Sequence, residues 1–310
     1  MRPYTLLWCG LVSLAGACLT YGNLPSFRIS VLVFFIPISG WIAGLYLADY
    51  CDRKLDVIQK PHRPIPSGRI TPREALVVGA IFAVTGLFLT VFLNVANILL
   101  VFIASALVFC YAKVTKARGL LGNVNRGALT VTTYLFGVFS FGTSLSSIPV
   151  YIWILALVFF IHDTNSNIIG AIRDIQGDIT GGYKTTPVHY GIKNALIISL
   201  ILSILYLLLT MGVVRFFDVF QCPFFFFSLF ALGVIVLCFM YVILFDAKEM
   251  ITRKHALLAH ELFVAERIIF ASAFIVGIAQ SRAISLSLFV VSLVLTLFSQ
   301  HLLRERYELT

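Results

Sequence analysis

Four aspartates in two DxxxD ladders are the residues of this chain best suited to chemistry: Asp52 with Asp56, and Asp174 with Asp178. Residues four apart share one helix face, so each pair can present two carboxylates to one divalent ion. Mg²⁺ takes one or two protein carboxylates and completes its shell with phosphate oxygens and water. Two such pairs can hold a magnesium-bound polyphosphate between them. Each ladder leads into a basic, proline-containing stretch, Lys60-Pro-His-Arg63-Pro-Ile-Pro-Ser-Gly68 and Lys184-Thr-Thr-Pro187. Arg63 and Lys184 follow their ladders at similar offsets and are candidate cations for the same anion. Carboxylates near a bilayer are costly unless they serve a site, and the device occurs twice.

The elements that must position these residues are helices. Asp163, Asn167, Asp174 and Asp178 fall on one face of a single helix, a polar stripe that must line a cavity or meet another polar element. Asp163, deep in the stripe, is a candidate base for a phenol or alcohol acceptor. It can equally be satisfied, with Asn167, by hydrogen bonds between helices. Around the first ladder, Leu45, Ala48 or Asp49, Asp52 and Asp56 share a face. Gly40 and Gly44 suit close packing against a neighbouring helix. Tyr111 and Lys116, between the ladders, either reach a phosphate from the rim or mark membrane topology, as Lys113 and Arg118 do. Asp49 and Arg173 join the candidate substrate-binding residues.

The chain is 60% hydrophobic and 12% charged over 310 residues. A soluble protein carries about twice that charge fraction, so this is a multi-spanning membrane protein. Ten apolar segments are legible, near 4–21, 29–50, 72–93, 96–113, 124–141, 148–169, 194–214, 224–245, 258–279 and 283–303, each close to a bilayer's thickness. Glu261, Glu266 and Arg267 interrupt the ninth, which can start late or run along the interface. The expectation is a bundle of nine, possibly ten, transmembrane helices forming one domain over 1–310, in contact with the lipid bilayer. With the N-terminus inside, nineteen Lys and Arg fall on cytoplasmic segments, among them Arg2 and Lys248, against Arg28, Arg215 and Arg282 outside. That asymmetry places both ladders at the cytoplasmic side.

The net charge of +9 follows mostly from topology and contact with anionic lipid. No extramembrane domain is present to bind nucleic acid. The six cysteines show no CxxC spacing and read as small apolar residues, not as a disulfide framework or a zinc site. The N-terminal apolar run is expected to be a retained helix.

The segment from Asp49 through Asp52, Asp56 and Lys60 to Gly68 resembles the first signature of the UbiA superfamily of intramembrane prenyltransferases. Asp174 to Pro187 resembles its second signature. Tyr111 to Lys116, with Gly122 and Asn123, is similar to the segment between them, so Asn123 joins the candidates. The resemblance covers about residues 1–215 and fades beyond. It implies nine helices around a central cavity capped by cytoplasmic loops. It also implies Mg²⁺ on both ladders, holding the diphosphate of an isoprenyl donor whose ionisation leaves an allylic cation for an acceptor to capture. One position departs: the family's first motif opens with Asn, and Ala48 stands there. Either water or Asp49 replaces that oxygen, or the substitution is inactivating.

Prenyl transfer to a small-molecule or lipid acceptor is thus the leading function, with intramolecular cyclisation of the same cation as its rival. A transporter would want broken half-helices and inverted repeats, which are not legible here. A non-catalytic membrane protein is the remaining alternative.

Overall fold

The computed structural model describes residues 3–59, 61, 63–247 and 251–307. Arg2, Lys60 and Lys248 of the sequence patterns lie outside the described residues. Among the described residues there are ten long helices: α1 (Leu6–Tyr21), α2 (Phe27–Gln59), α3 (Pro72–Thr90), α4 (Val95–Cys110), α5 (Leu120–Val138), α6 (Val150–Thr180), α8 (Ile192–Phe216), α9 (Pro223–Asp246), α10 (Arg253–Ile278) and α11 (Arg282–Tyr307). A short α7 (Thr186–Tyr190) follows the second ladder. Among the described residues there is no sheet, only an isolated bridge between Arg118 and Lys184.

Eight of these helices are long and apolar enough to cross a membrane. The other two, α5 and α10, are long but carry polar and charged residues, and those side chains are buried among other helices. In α5 these include Asn123, Asn125 and Thr130; in α10 they include Glu266 and Arg267. The helix α10 is continuous through Glu261, Glu266 and Arg267. These charges do not break the helix, and Glu266 and Arg267 pair with α6.

Helices α1, α5, α6 and α10 form the inner group, with α1 against α5 and α10, and α6 against α5 and α10. Around them α2 packs on α1 and α3, α4 on α5, α8 on α6, and α9 and α11 on α10. The outer helices present large apolar side chains outward, such as Phe88 and Phe102. Small residues set the inner spacing. A β-carbon on Gly137 or Gly16 would collide with the backbone carbonyls of Ser13 and Tyr134 respectively, so α1 and α5 meet backbone to backbone. Gly40 does not play that part, since a β-carbon there would meet nothing within 4 Å. It is Gly79 on α3 that approaches α2, at Tyr46.

Length explains how the ladders are presented. Helix α2 has 33 residues and α6 has 31. At 1.5 Å per residue these span about 50 and 46 Å, well beyond a hydrocarbon core of about 30 Å. The polar ends of both helices can therefore project past the apolar layer at the same side. Local signals start the neighbouring helices. Thr71 and Glu74 form a reciprocal capping box with Pro72 at the first turn of α3, and Asn94 caps α4.

Candidate active site

A cavity of about 520 Å³ opens between α2, α5, α6 and α10 and takes in both ladders. From α2 it is lined by Gly44, Leu45, Ala48, Asp49, Asp52 and Asp56, the face expected from their spacing. From α6 it is lined by Asn167, Gly170, Ala171, Asp174 and Asp178. The two ladders share one site.

The first ladder is not a solvated helix end. Asp52 and Asp56 are only 8% and 3% exposed. Arg53 turns to its own helix instead, donating to the Tyr50 carbonyl at 2.7 Å. Other cations hold the carboxylates. Lys116 meets Asp52 at 2.5 Å, and Arg63 meets Asp56 at 2.6 Å and Asp49 at 3.4 Å. Burial works to lower the pKa of both cations, but the adjacent carboxylates outweigh it. Asp56 and Asp49 hold Arg63 above its ordinary value, and Asp52 does the same for Lys116. Both therefore stay charged at the mouth of the cavity.

Lys116 is delivered by a π-helical turn, Tyr111–Thr115, that ends the fourth helix. Such turns rotate the following side chains away from regular α-helical positions. On the second ladder, Arg173 makes a bidentate pair with Asp174 at 2.7 and 3.1 Å, and its guanidinium lies 3.2 Å from the His260 ring nitrogens. Thr185 donates to Asp178 at 2.9 Å.

A run of hydrogen bonds ties the remaining candidates together. Thr186 donates to the Asn123 side-chain oxygen, Asn123 donates to Asn167 at 2.8 Å, and Asn167 lies 3.4 Å from the Tyr111 hydroxyl. All but Thr186 line the cavity.

Two sequence-predicted residues are placed elsewhere. The Lys184 side chain is exposed and absent from the cavity wall. Its backbone pairs with Ala117 and Gly119, pinning the loop after α6 to the turn that carries Lys116. Its neighbour Tyr183 is the one that enters the lining, 5.2 Å from the Lys116 ammonium. Asp163 is fully buried and does not reach the cavity surface. It is held by Arg267 at 2.5 Å, Thr130 at 2.9 Å and Arg126 at 3.4 Å. A carboxylate so engaged is not available to take a proton from an acceptor.

Sequence reasoning missed the other side of this contact. Arg126 and Arg267 both line the cavity, as do Arg253 and His260. From sequence, Arg126 is one of the nineteen cations on cytoplasmic segments, and Arg267 reads as a break in a span. The available signal was an arginine within an apolar segment, which is costly unless paired or functional.

The donor set suits magnesium. It consists of hard carboxylate oxygens, and no group of three or more His, Cys, Asp or Glu among the described residues is placed to hold an ion by itself. An ion here needs further oxygens from its ligand, as Mg²⁺ with a phosphate does. Beside the site, an apolar chamber of about 410 Å³ between α2, α3, α4 and α5 shares Trp41, Gly44, Val108 and Leu129 with the main cavity.

A family model described as the UbiA prenyltransferase family matches residues 6–265, beyond the 1–215 over which the motifs are legible. The digeranylgeranylglyceryl phosphate synthase of Thermococcus kodakarensis is 33% identical over 205 residues, 66% of this chain and 72% of that protein. A solved structure of a digeranylgeranylglyceryl phosphate synthase superposes with a TM-score of 0.64 at 25% identity, covering 89% of this chain and 97% of the other. A UbiA homologue from Archaeoglobus fulgidus, solved with DMAPP and Mg²⁺, has a TM-score of 0.57 at 18% identity over 98% of this chain and 99% of its own. With both ladders on one cavity inside a helical bundle, the chain belongs to the UbiA prenyltransferase family.

Proposed function

We propose that this chain transfers the prenyl group of a magnesium-bound isoprenyl diphosphate to a hydroxyl of a glyceryl phosphate lipid. The observation that carries the reading is the meeting of Asp52, Asp56, Asp174 and Asp178 in one cavity with Arg63 and Lys116. The Mg²⁺ and DMAPP of the Archaeoglobus fulgidus homologue support the donor side. The names of the relatives support the acceptor, since a digeranylgeranylglyceryl phosphate has two prenyl chains on one glyceryl phosphate.

Asp52 and Asp56 from α2, with Asp174 and Asp178 from α6, would hold Mg²⁺ together with the oxygens of the diphosphate. When bound, the ion supplies positive charge that makes the diphosphate a better leaving group. The chain's own residues do the rest. Arg63 and Lys116, charged and already at the carboxylates, turn to the diphosphate and share its charge as the allylic bond breaks. Arg173 and Thr185 orient Asp174 and Asp178. The Asn123, Asn167 and Tyr111 chain fixes a polar wall beneath the ladders, beside which the reacting carbon lies. The apolar chamber around Gly40 and Gly44 excludes water from the allylic cation and is wide enough for part of an isoprenoid chain.

The polar wall gives an acceptor hydroxyl hydrogen-bonding partners beside the reacting carbon, and so favours capture by an acceptor over cyclisation. All ten long helices cross the membrane, α5 and α10 included, because their polar residues face other helices. The N-terminus and both ladders then lie at the cytoplasmic side, a reading the Lys and Arg distribution supports. The whole of 1–310 is one domain.

Product analysis tests this. Purified protein in lipid is given Mg²⁺, geranyl, farnesyl or geranylgeranyl diphosphate, and a panel of acceptors. Incorporation of prenyl groups into a glyceryl phosphate lipid is expected. Cyclic hydrocarbon without acceptor incorporation would replace transfer by cyclisation, and the absence of Mg²⁺-dependent diphosphate release would remove both.

A further inference from the structure

Deep in the bundle, Asp163 stands between two arginines that both face the cavity. Arg267 of α10 donates to Asp163 at 2.5 Å and to Ser166 at 3.1 Å. Arg126 of α5 approaches the same carboxylate only to 3.4 Å, which engages little of its five-donor fork. One carboxylate therefore serves two guanidinium groups. The nearby Glu266 is engaged elsewhere, by His162 at 2.8 Å and Tyr206 at 3.2 Å.

Each arginine is backed by an indole. The Arg126 guanidinium lies 4.3 Å from the Trp41 ring centroid and that of Arg267 lies 4.4 Å from Trp8. The cation–π contacts hold both guanidinium groups in place while leaving N–H donors for a polar partner. Arg267 Nε is buried and finds no partner among the described residues. Asp163 lies eleven residues before Asp174 on α6, about 16 Å along the helix. A diphosphate held at the ladders does not span that distance.

We propose that Arg126 and Arg267 form a second anion site, separate from the diphosphate site, that receives an oxyanion carried by the acceptor. It rests on the prenyl-transfer reading and deepens it. A charged pair this far into a membrane is costly without a partner, and a planar fork matches a phosphate or carboxylate in bidentate fashion. Two sites at opposite ends of one cavity would place the acceptor's hydroxyl between its own anion and the donor's reacting carbon. Asp163 is then a positioning residue: it holds both forks toward the cavity and takes no proton.

The test compares anionic acceptors with neutral counterparts: geranylgeranylglyceryl phosphate against geranylgeranylglycerol, and 4-hydroxybenzoate against 4-hydroxybenzamide. Binding to purified protein in lipid is measured for the wild type and Arg126→Gln, alongside binding of geranylgeranyl diphosphate with Mg²⁺. The wild type is expected to prefer one anionic acceptor over its neutral partner at least tenfold, and which pair shows the preference identifies phosphate or carboxylate as the source. Arg126→Gln should abolish that preference while donor binding stays within twofold. An Asp163→Leu, Arg267→Met double variant, which removes a charge pair together and so avoids leaving Asp163 unpaired, should behave the same way. No preference in the wild type for either anion, or an unchanged preference in both variants, overturns the proposal. Equal loss of anionic and neutral acceptors would reduce the arginines to structural residues and overturn it too. Donor turnover is read separately: if the wild type never releases diphosphate, the transfer reading fails whatever the acceptor binding shows.

Discussion

Lys116, from the turn that ends the fourth helix, reaches across to Asp52 on α2 at 2.5 Å. A cation from the turn after α4 thus holds a metal-ligand candidate of α2, while Arg63, from the loop that follows α2 itself, holds Asp56. Ammonium and metal ion compete for the same oxygens. Lys116→Met should therefore bind Mg²⁺ or Mn²⁺ more tightly than wild type in the absence of donor, while the donor's KM rises about tenfold. Titration of Mn²⁺ by electron paramagnetic resonance, with and without diphosphate, checks both. Unchanged metal affinity would show that Lys116 and the ion do not share Asp52.

Removing a ladder aspartate acts on the other side of that competition. Asp52→Ala and Asp174→Ala are each expected to lower kcat by orders of magnitude, because neutralisation of the leaving diphosphate is worth several kcal/mol in such sites. Both variants should still insert and elute as folded protein, since each residue lies on the cavity wall and not in the apolar packing. Wild-type rates in the pair would disconnect the ladders from the reaction.

The shared face of each ladder was legible because helical spacing alone puts Asp52 with Asp56 and Asp174 with Asp178 on single faces, and Arg63 was legible by its offset after the first ladder, whereas Lys116 read equally as a topogenic charge. Asn167 and Ala48 followed from the same period. What spacing does not contain is the partner across a helix interface. Asp163 reads from sequence as an available carboxylate, and only the packing of α5 and α10 against α6 shows Arg126 and Arg267 already on it. Lys184 matched Arg63 in offset, yet its backbone pairing with Ala117 and Gly119 turns the side chain outward. Gly40 and Gly44 carried a packing motif, but whether a glycine is filled by a neighbour or left as cavity wall depends on the helices opposite.

That last contrast can be measured. Gly127 of α5 lies where a β-carbon would collide with the Thr164 hydroxyl and stand 2.5 Å from the Phe160 carbonyl oxygen of α6. Gly127→Ala must push the two helices apart, a cost of about 1–3 kcal/mol or more. Gly40→Ala meets nothing within 4 Å and should leave stability unchanged or slightly raised. Thermal unfolding of both variants in the same detergent is the comparison. A Gly127→Ala protein as stable as wild type would mean the α5–α6 contact is looser than described.

Ala48 stands where the family's first motif has Asn, and both Ala48 and Asp49 line the cavity. Asp49 is within 3.4 Å of Arg63, so its carboxylate already belongs to the cluster at the ladder. The oxygen missing at Ala48 can thus be supplied one residue on, through Asp49 and the cation it holds. Asp49→Ala is expected to lower kcat roughly tenfold to a thousandfold, corresponding to a few kcal/mol of transition-state stabilisation. Adding Ala48→Asn to that variant should restore much of the loss by returning an oxygen one turn before Asp52. Ala48→Asn alone should change little, since Asp49 is then still present. Rates measured at saturating Mg²⁺ separate metal organisation from metal affinity. If Asp49→Ala is as active as wild type and the double variant gains nothing, neither position reaches the metal, and the ladder works with two carboxylates on α2.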